Sequence, residues 1–294
     1  MKKNSYTSLQ KLLWCVLIAA LPIVIALRSH HLNNLLEPGY GFYASRDWTV
    51  ITLGAFLTVI VGLFTVLSFV NARKGSVVLQ YNNGGVKSRT MAIISIALSV
   101  MLIWDAVVCA GFVSKELQNI AEDRITFTLL MKTGLLPCLM EAITAPLAAL
   151  FAIIFGIDSW KGNGSVAKRR FLALFPVIWL VMRTIFRFTR TLSFMRVSEL
   201  FYELMFLAFM LIFLITFAQL YSGINEGGND WVLIAAGYPA AIIAIMCYVS
   251  RIITIALGNK LTTLVQPEFI EFVLALFILN VLRVRLKAKS KAGN

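Results

Sequence analysis

Charge is what this 294-residue chain has least of: 14% of its residues are Asp, Glu, Lys or Arg, against about 25% in a soluble domain. Histidine is nearly absent, with His30 and His31 the whole complement. Two adjacent side chains do not converge on one metal as an i, i+4 pair does, so they read as a solvated loop pair. The four cysteines (Cys15, Cys109, Cys138, Cys247) contain no CxxC pair, which argues against a zinc site or a disulfide framework. They read as small buried hydrophobes. No GxxxxGK[ST] phosphate loop and no HExxH is found, so nucleotide-driven chemistry would need a partner chain, and the commonest metalloprotease arrangement is excluded. No lysine stands within the body of an apolar run, which argues against a retinal Schiff base. No cofactor is indicated.

What is present is hydrophobic length. Apolar residues make up 59% of the chain and the mean hydropathy is +0.83. An excess of that size is covered by lipid, so the fold class is all-α, a polytopic helical membrane bundle in one integral membrane domain over 1–294. Runs long enough to span, about 17–25 residues each, lie near 10–27, 49–70, 91–113, 137–156, 171–188, 201–221, 231–255 and 267–283. The last is the shortest. Lys2, Lys3 and Lys11 before the first run also fit a signal peptide, but no A-x-A site follows. The first run is therefore taken as a transmembrane helix.

The net charge of +13 is not spread evenly. Bases crowd the N-terminal tail, the second connection (Arg73, Lys74, Lys87, Arg89), the fourth (Lys161, Lys168, Arg169, Arg170) and the C-terminal tail (Arg283, Arg285, Lys287, Lys289, Lys291). Alternation of this kind follows the positive-inside rule and places both termini in the cytoplasm of an inner or plasma membrane. Bases between apolar runs face anionic lipid rather than nucleic acid. The acidic connection at 222–230 is the exception, and acidic residues weigh little in this rule. Residues 76–88 have the turn chemistry of a small hairpin, and 114–133 fits an interfacial amphipathic helix.

With that orientation, each charge inside a run acquires a depth. Arg183 stands about 20 Å beyond Arg170 at 1.5 Å per residue, in the outer half of a core roughly 30 Å thick. Asp105, Glu141, Arg187, Glu203 and Arg251 also fall in the outer half. Arg183, Arg187 and Arg190 share one helical face at i, i+4 and i+7. Ionisable residues at such depth almost always face the bundle interior or water, and are functional candidates by default. Two readings stay open. In the first, Asp105, Glu141, Arg183, Arg187, Glu203 and Arg251 line an outward-facing cavity for a small polar or zwitterionic solute, such as an amino acid or short peptide. In the second they form ion pairs, Arg183 or Arg187 with Glu203 and Arg251 with Asp105 or Glu271. Arg190, Arg196, Glu199 and Glu268 read as interfacial. The leading functional expectation is a transporter or transporter subunit, with another membrane subunit or an ATPase as partner. The alternative is a non-transporting sensor or assembly subunit whose charges pair with a partner helix. An enzyme is not indicated, since no nucleophile–base constellation is visible.

Runs one and five (ALPIVIALR, LFPVIWLVMR) each place a proline shortly before an arginine. Runs four and eight open with proline and carry Glu141 and Glu271 four residues on, and runs two and six share Phe56-Leu57 and Phe206-Leu207. Every match pairs run n with run n+4, as a parallel 4+4 repeat would. Pro22, Pro146, Pro176 and Pro239 fall inside spans, where kinks are tolerated, and Gly237-Tyr238-Pro239 is a candidate hinge.

FPVIWLVMR (175–183), Ser198-Glu199 and Gly237-Tyr238-Pro239 together resemble functionally uncharacterised multi-pass membrane proteins of anaerobic Gram-positive bacteria. The resemblance covers roughly 171–280. It implies a bacterial inner membrane and supplies no chemistry.

Overall fold

The computed structural model describes residues 3–35, 43, 47–73, 87–118, 120, 126–162, 170–189, 197–222, 230–258 and 268–292. Among these, regular structure is helical: α1 (Lys3–His30, continued by a π turn His31–Leu35), α2 (Trp48–Arg73), α3 (Arg89–Gln118), a short α4 (Phe127–Lys132), α5 (Leu135–Lys161), α6 (Phe175–Thr189, led in by a 3-10 turn Arg170–Leu174), α7 (Val197–Ser222), α8 (Asp230–Ala256) and α9 (Phe269–Ala292). The expected polytopic helical bundle is what forms. Seven of the described helices are long and apolar enough to cross a membrane. The eighth expected span falls on α9, whose 24 residues include Glu271 near the start and Arg283 and Arg285 further on. The expected hairpin at 76–88 lies almost wholly outside the described residues.

The helices hold in an apolar medium because their polar groups are satisfied within the segment. Hydroxyls of Thr52, Thr58, Thr65, Ser68, Ser95, Thr144, Thr184, Thr216, Ser222, Ser250 and Thr254 each donate to the carbonyl four residues earlier, at 2.6–2.9 Å. Helix ends use side chains and glycine. Asp47 Oδ1 accepts from the Thr49 N–H at 2.9 Å, and that bond holds the Asp47 carboxyl below its ordinary range. Ser88 Oγ accepts from Met91 N–H at the start of α3, and the Ser88 N–H donates to Ser159 O at 2.8 Å. That second bond ties the beginning of α3 to the end of α5. Gly162 closes α5 in the left-handed region (φ 77°), donating to Asp158 O, a conformation costly for any side chain.

Packing is organised around α8. Of its most apolar stretch 83% is buried, against 22% for α2 and 33% for the α1 span. Helices α1, α2, α7 and α9 surround it; α3, α5 and α6 form a second group, joined to the first through α9–α3 and α6–α7 contacts. Tyr238 is fully buried at the centre, stacked on Phe64 at 4.8 Å with Trp14 edge-on. Between the groups lies an aromatic cluster of Phe151, Phe155, Phe213, Phe217, Tyr221 and Phe277.

Several local expectations change. The Gly237-Tyr238-Pro239 stretch is continuous helix inside the most buried element. A Cβ at Gly237 would stand 3.0 Å from Phe213 and 3.1 Å from Ile278 and Leu282, so this glycine permits close helix approach rather than bending. Pro176 is the second residue of α6, where its missing N–H costs nothing, whereas Pro22 is deep inside α1. Sequence similarity between runs one and five is therefore not similarity of local geometry. Helices α8 and α3, paired in a 4+4 repeat, also differ in environment, one central and one only 33% buried in its span. The 114–133 segment divides: α3 continues through Gln118, and the short α4 packs on α5 with Leu130 turned to it. Cys15 is exposed while the other three cysteines are buried.

Candidate functional site

Because successive long helices run in opposite directions, the late residues of α3, α6 and α8 and the early residues of α5, α7 and α9 reach the same end of the bundle. All the candidate residues sit there. Arg183 on α6 is the hub. Its Nη1 donates to Asp105 Oδ1 of α3 at 3.0 Å and to Glu141 Oε1 of α5 at 2.8 Å, and its Nη2 donates to Glu268 just ahead of α9. One turn on, Arg187 donates to Glu268 and meets Glu203 of α7, Nε to Oε1 at 2.8 Å. That last contact is close in charge but not aligned as a hydrogen bond. Arg251 of α8 approaches Glu271 of α9 at 3.9 Å. Carboxylate oxygens of Glu203, Glu268 and Glu271 lie within 4.8 Å of one another, so the two sets form one network.

Exposure is graded across it. Side-chain exposure is 30% at Glu268, 14–16% at Asp105, Arg187 and Glu203, and 3% and 1% at Arg183 and Glu141. Nearer the end of the bundle, one or two turns beyond Asp105, Glu141 and Arg183, an apolar layer of Cys109, Val113, Leu135, Cys138 and Phe186 packs together. On the other side, Trp179 closes the cluster. Its Nε1–H donates to Asp105 Oδ2 at 3.3 Å and its ring lies 5.7 Å from the Arg183 guanidinium carbon. The same ring lines a small apolar cavity with Leu98, Leu102, Ala148, Phe151 and Phe277. Trp179 thus divides a charged compartment from an apolar one.

All six residues expected from the sequence are at this end. Five of them, Asp105, Glu141, Arg183, Arg187 and Glu203, join directly through the two neighbouring arginines, and Arg251 joins through Glu271. Of the alternatives left open for ion pairing, Arg187 takes Glu203 and Arg251 takes Glu271. Glu268 is a correction. It was expected to be solvated at the interface, but it bridges Arg183 and Arg187, whose long side chains reach it just ahead of α9. Arg190 and Arg196 lie outside the described residues.

The histidines are a second correction. His31 is fully buried, with Nε2 paired to Thr49 Oγ1 at 3.2 Å and its ring edge-on to Tyr43, while His30 is exposed and bonded to Asn34. Both lie on continuous helical structure rather than in a loop, where adjacent side chains point about 100° apart and so meet different surroundings. Close by, the Arg28 guanidinium donates to Tyr43 OH at 3.1 Å and lies over the Tyr202 ring at 4.6 Å. Tyr202 immediately precedes Glu203, so this group abuts the ion-pair network. Its signal in the sequence was an arginine closing an apolar run.

Chemically, the cluster can hold a charged or zwitterionic group, exchange ion-pair partners, or carry protons. Two sets of donors could also hold a cation: Asp105, Cys109 and Glu141, and Glu203, Glu268 and Glu271. The Arg183 guanidinium lies against two members of the first set and one of the second, and Arg187 against two of the second. No family model, curated protein or solved structure matches the chain.

Proposed function

We propose that this integral membrane protein is a small-solute transporter, or the solute-binding subunit of one, for zwitterionic or polar molecules such as amino acids or short peptides. One observation carries the reading. Side chains from six helices bring three arginines and five carboxylates together at one depth of an apolar bundle. A purely structural role is a poor explanation for so many. Buried ion pairs often stabilise no better than well-packed apolar residues, and each charge is expensive in lipid. Partner exchange among ion pairs, by contrast, is what a site needs to trade internal contacts for those of a solute's ammonium and carboxylate groups.

The arrangement is that of a closed state. Arg183, Arg187 and their carboxylates occupy each other, and the layer from Cys109 to Phe186 separates the deepest of them from the end of the bundle. Opening is assigned to movement of α3, α5 and α6 relative to the packing around α8. The positive-inside distribution of loop bases supports an outward orientation for the cluster. Pairing of the charges within the chain speaks against a sensor or assembly subunit that offers them to a partner helix.

Accessibility tests the reading. In a background lacking Cys15, Cys109, Cys138 and Cys247, single cysteines at 105, 141, 203 and 268 should react with a membrane-impermeant reagent applied from outside. A transported amino acid or dipeptide should slow that reaction. Protection of all four from both sides of the membrane, with loop controls labelled, would reduce the cluster to a structural one.

A further inference from the structure

We propose that Cys109 and Cys138 are an oxidation site, a buried thiol pair that closes to a disulfide and staples α3 to α5 beside the charged cluster. The inference does not depend on the transport reading.

The two thiols come from different helices, 29 positions apart in the chain. Both are buried, at 7% and 1% exposure, in the apolar layer with Val113, Leu135 and Phe186. The Cys138 thiol donates to the Cys109 carbonyl at 3.7 Å, and the two side chains are within hydrogen-bond reach of each other. A disulfide needs its cysteines close, since bridging a distant pair moves backbone. Here the approach is already made. Neither remaining cysteine competes. Cys15 is exposed on α1, and Cys247 lies on α8, which packs chiefly on α1, α2, α7 and α9.

The bond would fasten the end of the α3–α5 pair that lacks a backbone tie. At the opposite end the Ser88 N–H donates to Ser159 O at 2.8 Å. Gly156 of α5 fits close there, since a Cβ on it would stand 3.3 Å from the Ala92 carbonyl of α3. At the cluster end, Arg183 of a third helix spans Asp105 and Glu141. Asp105 lies one turn before Cys109 on α3, and Glu141 one turn after Cys138 on α5. A bond between the sulfurs therefore fixes the separation of two carboxylates that Arg183 holds.

The oxidant is hydrogen peroxide or another peroxide of similar size. A neutral molecule enters an apolar layer at far lower cost than a charged one, and Cys109, the more exposed of the two, is the sulfur it meets first. Cys109 Sγ attacks one peroxide oxygen and the O–O bond breaks. The thiol proton leaves with the departing oxygen as water, and Cys109 becomes a sulfenic acid. Cys138 Sγ then attacks Cys109 Sγ. The S–O bond breaks, and hydroxide takes the Cys138 proton to leave as a second water. The thiols give up two electrons, which reduce the peroxide, and one S–S bond replaces two S–H bonds.

Peptide mapping tests the assignment. Hydrogen peroxide is applied to the chain in lipid, surviving thiols are alkylated after unfolding, and the unreduced peptides are identified by mass spectrometry. Two of the four thiols should be lost, in one bridged pair of peptides holding Cys109 and Cys138, and a dithiol reductant should restore them. The oxidised chain should melt higher than the reduced one. Cys138→Ser removes the resolving thiol and should leave a sulfenic acid at Cys109 that a dimedone probe captures; no capture would overturn the order of attack. The mapping itself needs no variant, so it decides whether or not Cys138→Ser folds. Four alkylated thiols, under peroxide that oxidises the unfolded chain, would overturn the proposal. So would a bridge through Cys15 or Cys247, or a 109–138 bridge that leaves the melting temperature unmoved.

Discussion

Arg183→Ala is the sharpest perturbation available. Its guanidinium is 3% exposed and serves three carboxylates. Removing it strands them unequally. Glu268 keeps Arg187, and Asp105 keeps the Trp179 N–H. Glu141 loses the one hydrogen bond its carboxylate makes, with Oε2 already unpartnered and the residue 1% exposed. Breaking a buried pair by deleting one partner costs about 3–5 kcal/mol. At about 2–4 °C per kcal/mol for chains approaching this size, the melting temperature in detergent should fall by on the order of 10 °C. Arg73→Ala, at an exposed position over Phe69, should stay within about 0.5 kcal/mol of the native chain. The double variant with Glu141→Ala removes the stranded charge as well, and should recover about 1–3 kcal/mol relative to additivity. Thermal unfolding followed by circular dichroism supplies these values, with Glu141→Ala alone completing the comparison for additivity. A melting temperature for Arg183→Ala within about 2 °C of native, or strict additivity of the double variant, would refute the claim that these charges depend on each other.

Other positions give independent checks. Trp179→Phe keeps the ring between the two compartments but deletes the N–H to Asp105. It should cost about 1.5–3 kcal/mol, as for a hydrogen bond to a charged group, and an unchanged melting temperature would mean water replaces the indole. Gly237→Ala places a methyl 3.0–3.1 Å from Phe213, Ile278 and Leu282 and should cost about 1–3 kcal/mol by overpacking. Gly54→Ala, with open space beside it, should be neutral or stabilising. Asp47 is bound more tightly as a carboxylate in the folded chain than in the unfolded one, since its value lies below the ordinary 3.8. Its stabilisation of α2 is therefore present above about pH 4 and lost as pH falls through the depressed value. The gap in melting temperature between the native chain and Asp47→Ala should close on acidification, and a gap constant with pH would contradict that.

What could be read from the residues depended on contrast. Arg183 and Glu141 stand out because a charge inside an apolar run has few ordinary explanations. Glu268 does not, because a charge at the head of a run is usually solvated, and only its pairing with both Arg183 and Arg187 draws it into the network. Glu271 was visible as the counterpart of Glu141 in the possible repeat and as one of two candidate partners for Arg251, a choice that depends on which helices are neighbours. Trp179 is silent for the opposite reason, since an aromatic residue in an apolar run looks like lipid contact until its N–H is seen to have a carboxylate. His31 was masked by His30, whose exposure says nothing of its neighbour once the two lie on a helix, where adjacent side chains diverge. The presence and order of the helices were legible, because apolar length in lipid has one solution. Their ends were not, since α1 begins at Lys3 and α9 continues to Ala292, beyond the apolar runs. Nor was their mutual arrangement, and the centrality of α8 has no mark in its sequence beyond a higher proportion of alanine and isoleucine.

That centrality bears on how the chain is made. Helices α1 and α2 touch each other little and find most of their tertiary contact on α8, yet 183 residues separate the end of α2 from the end of α8. At about 5–20 residues per second of synthesis, the first two helices wait in the bilayer for roughly ten to forty seconds before their principal partner is delivered. During that interval α3, α5 and α6 can already pack on one another, while α1 and α2 flank an open seat at the middle. A ribosome that stalls before residue 230 would leave a product with every early helix inserted and no centre, recognisable to membrane quality control by what it fails to bury.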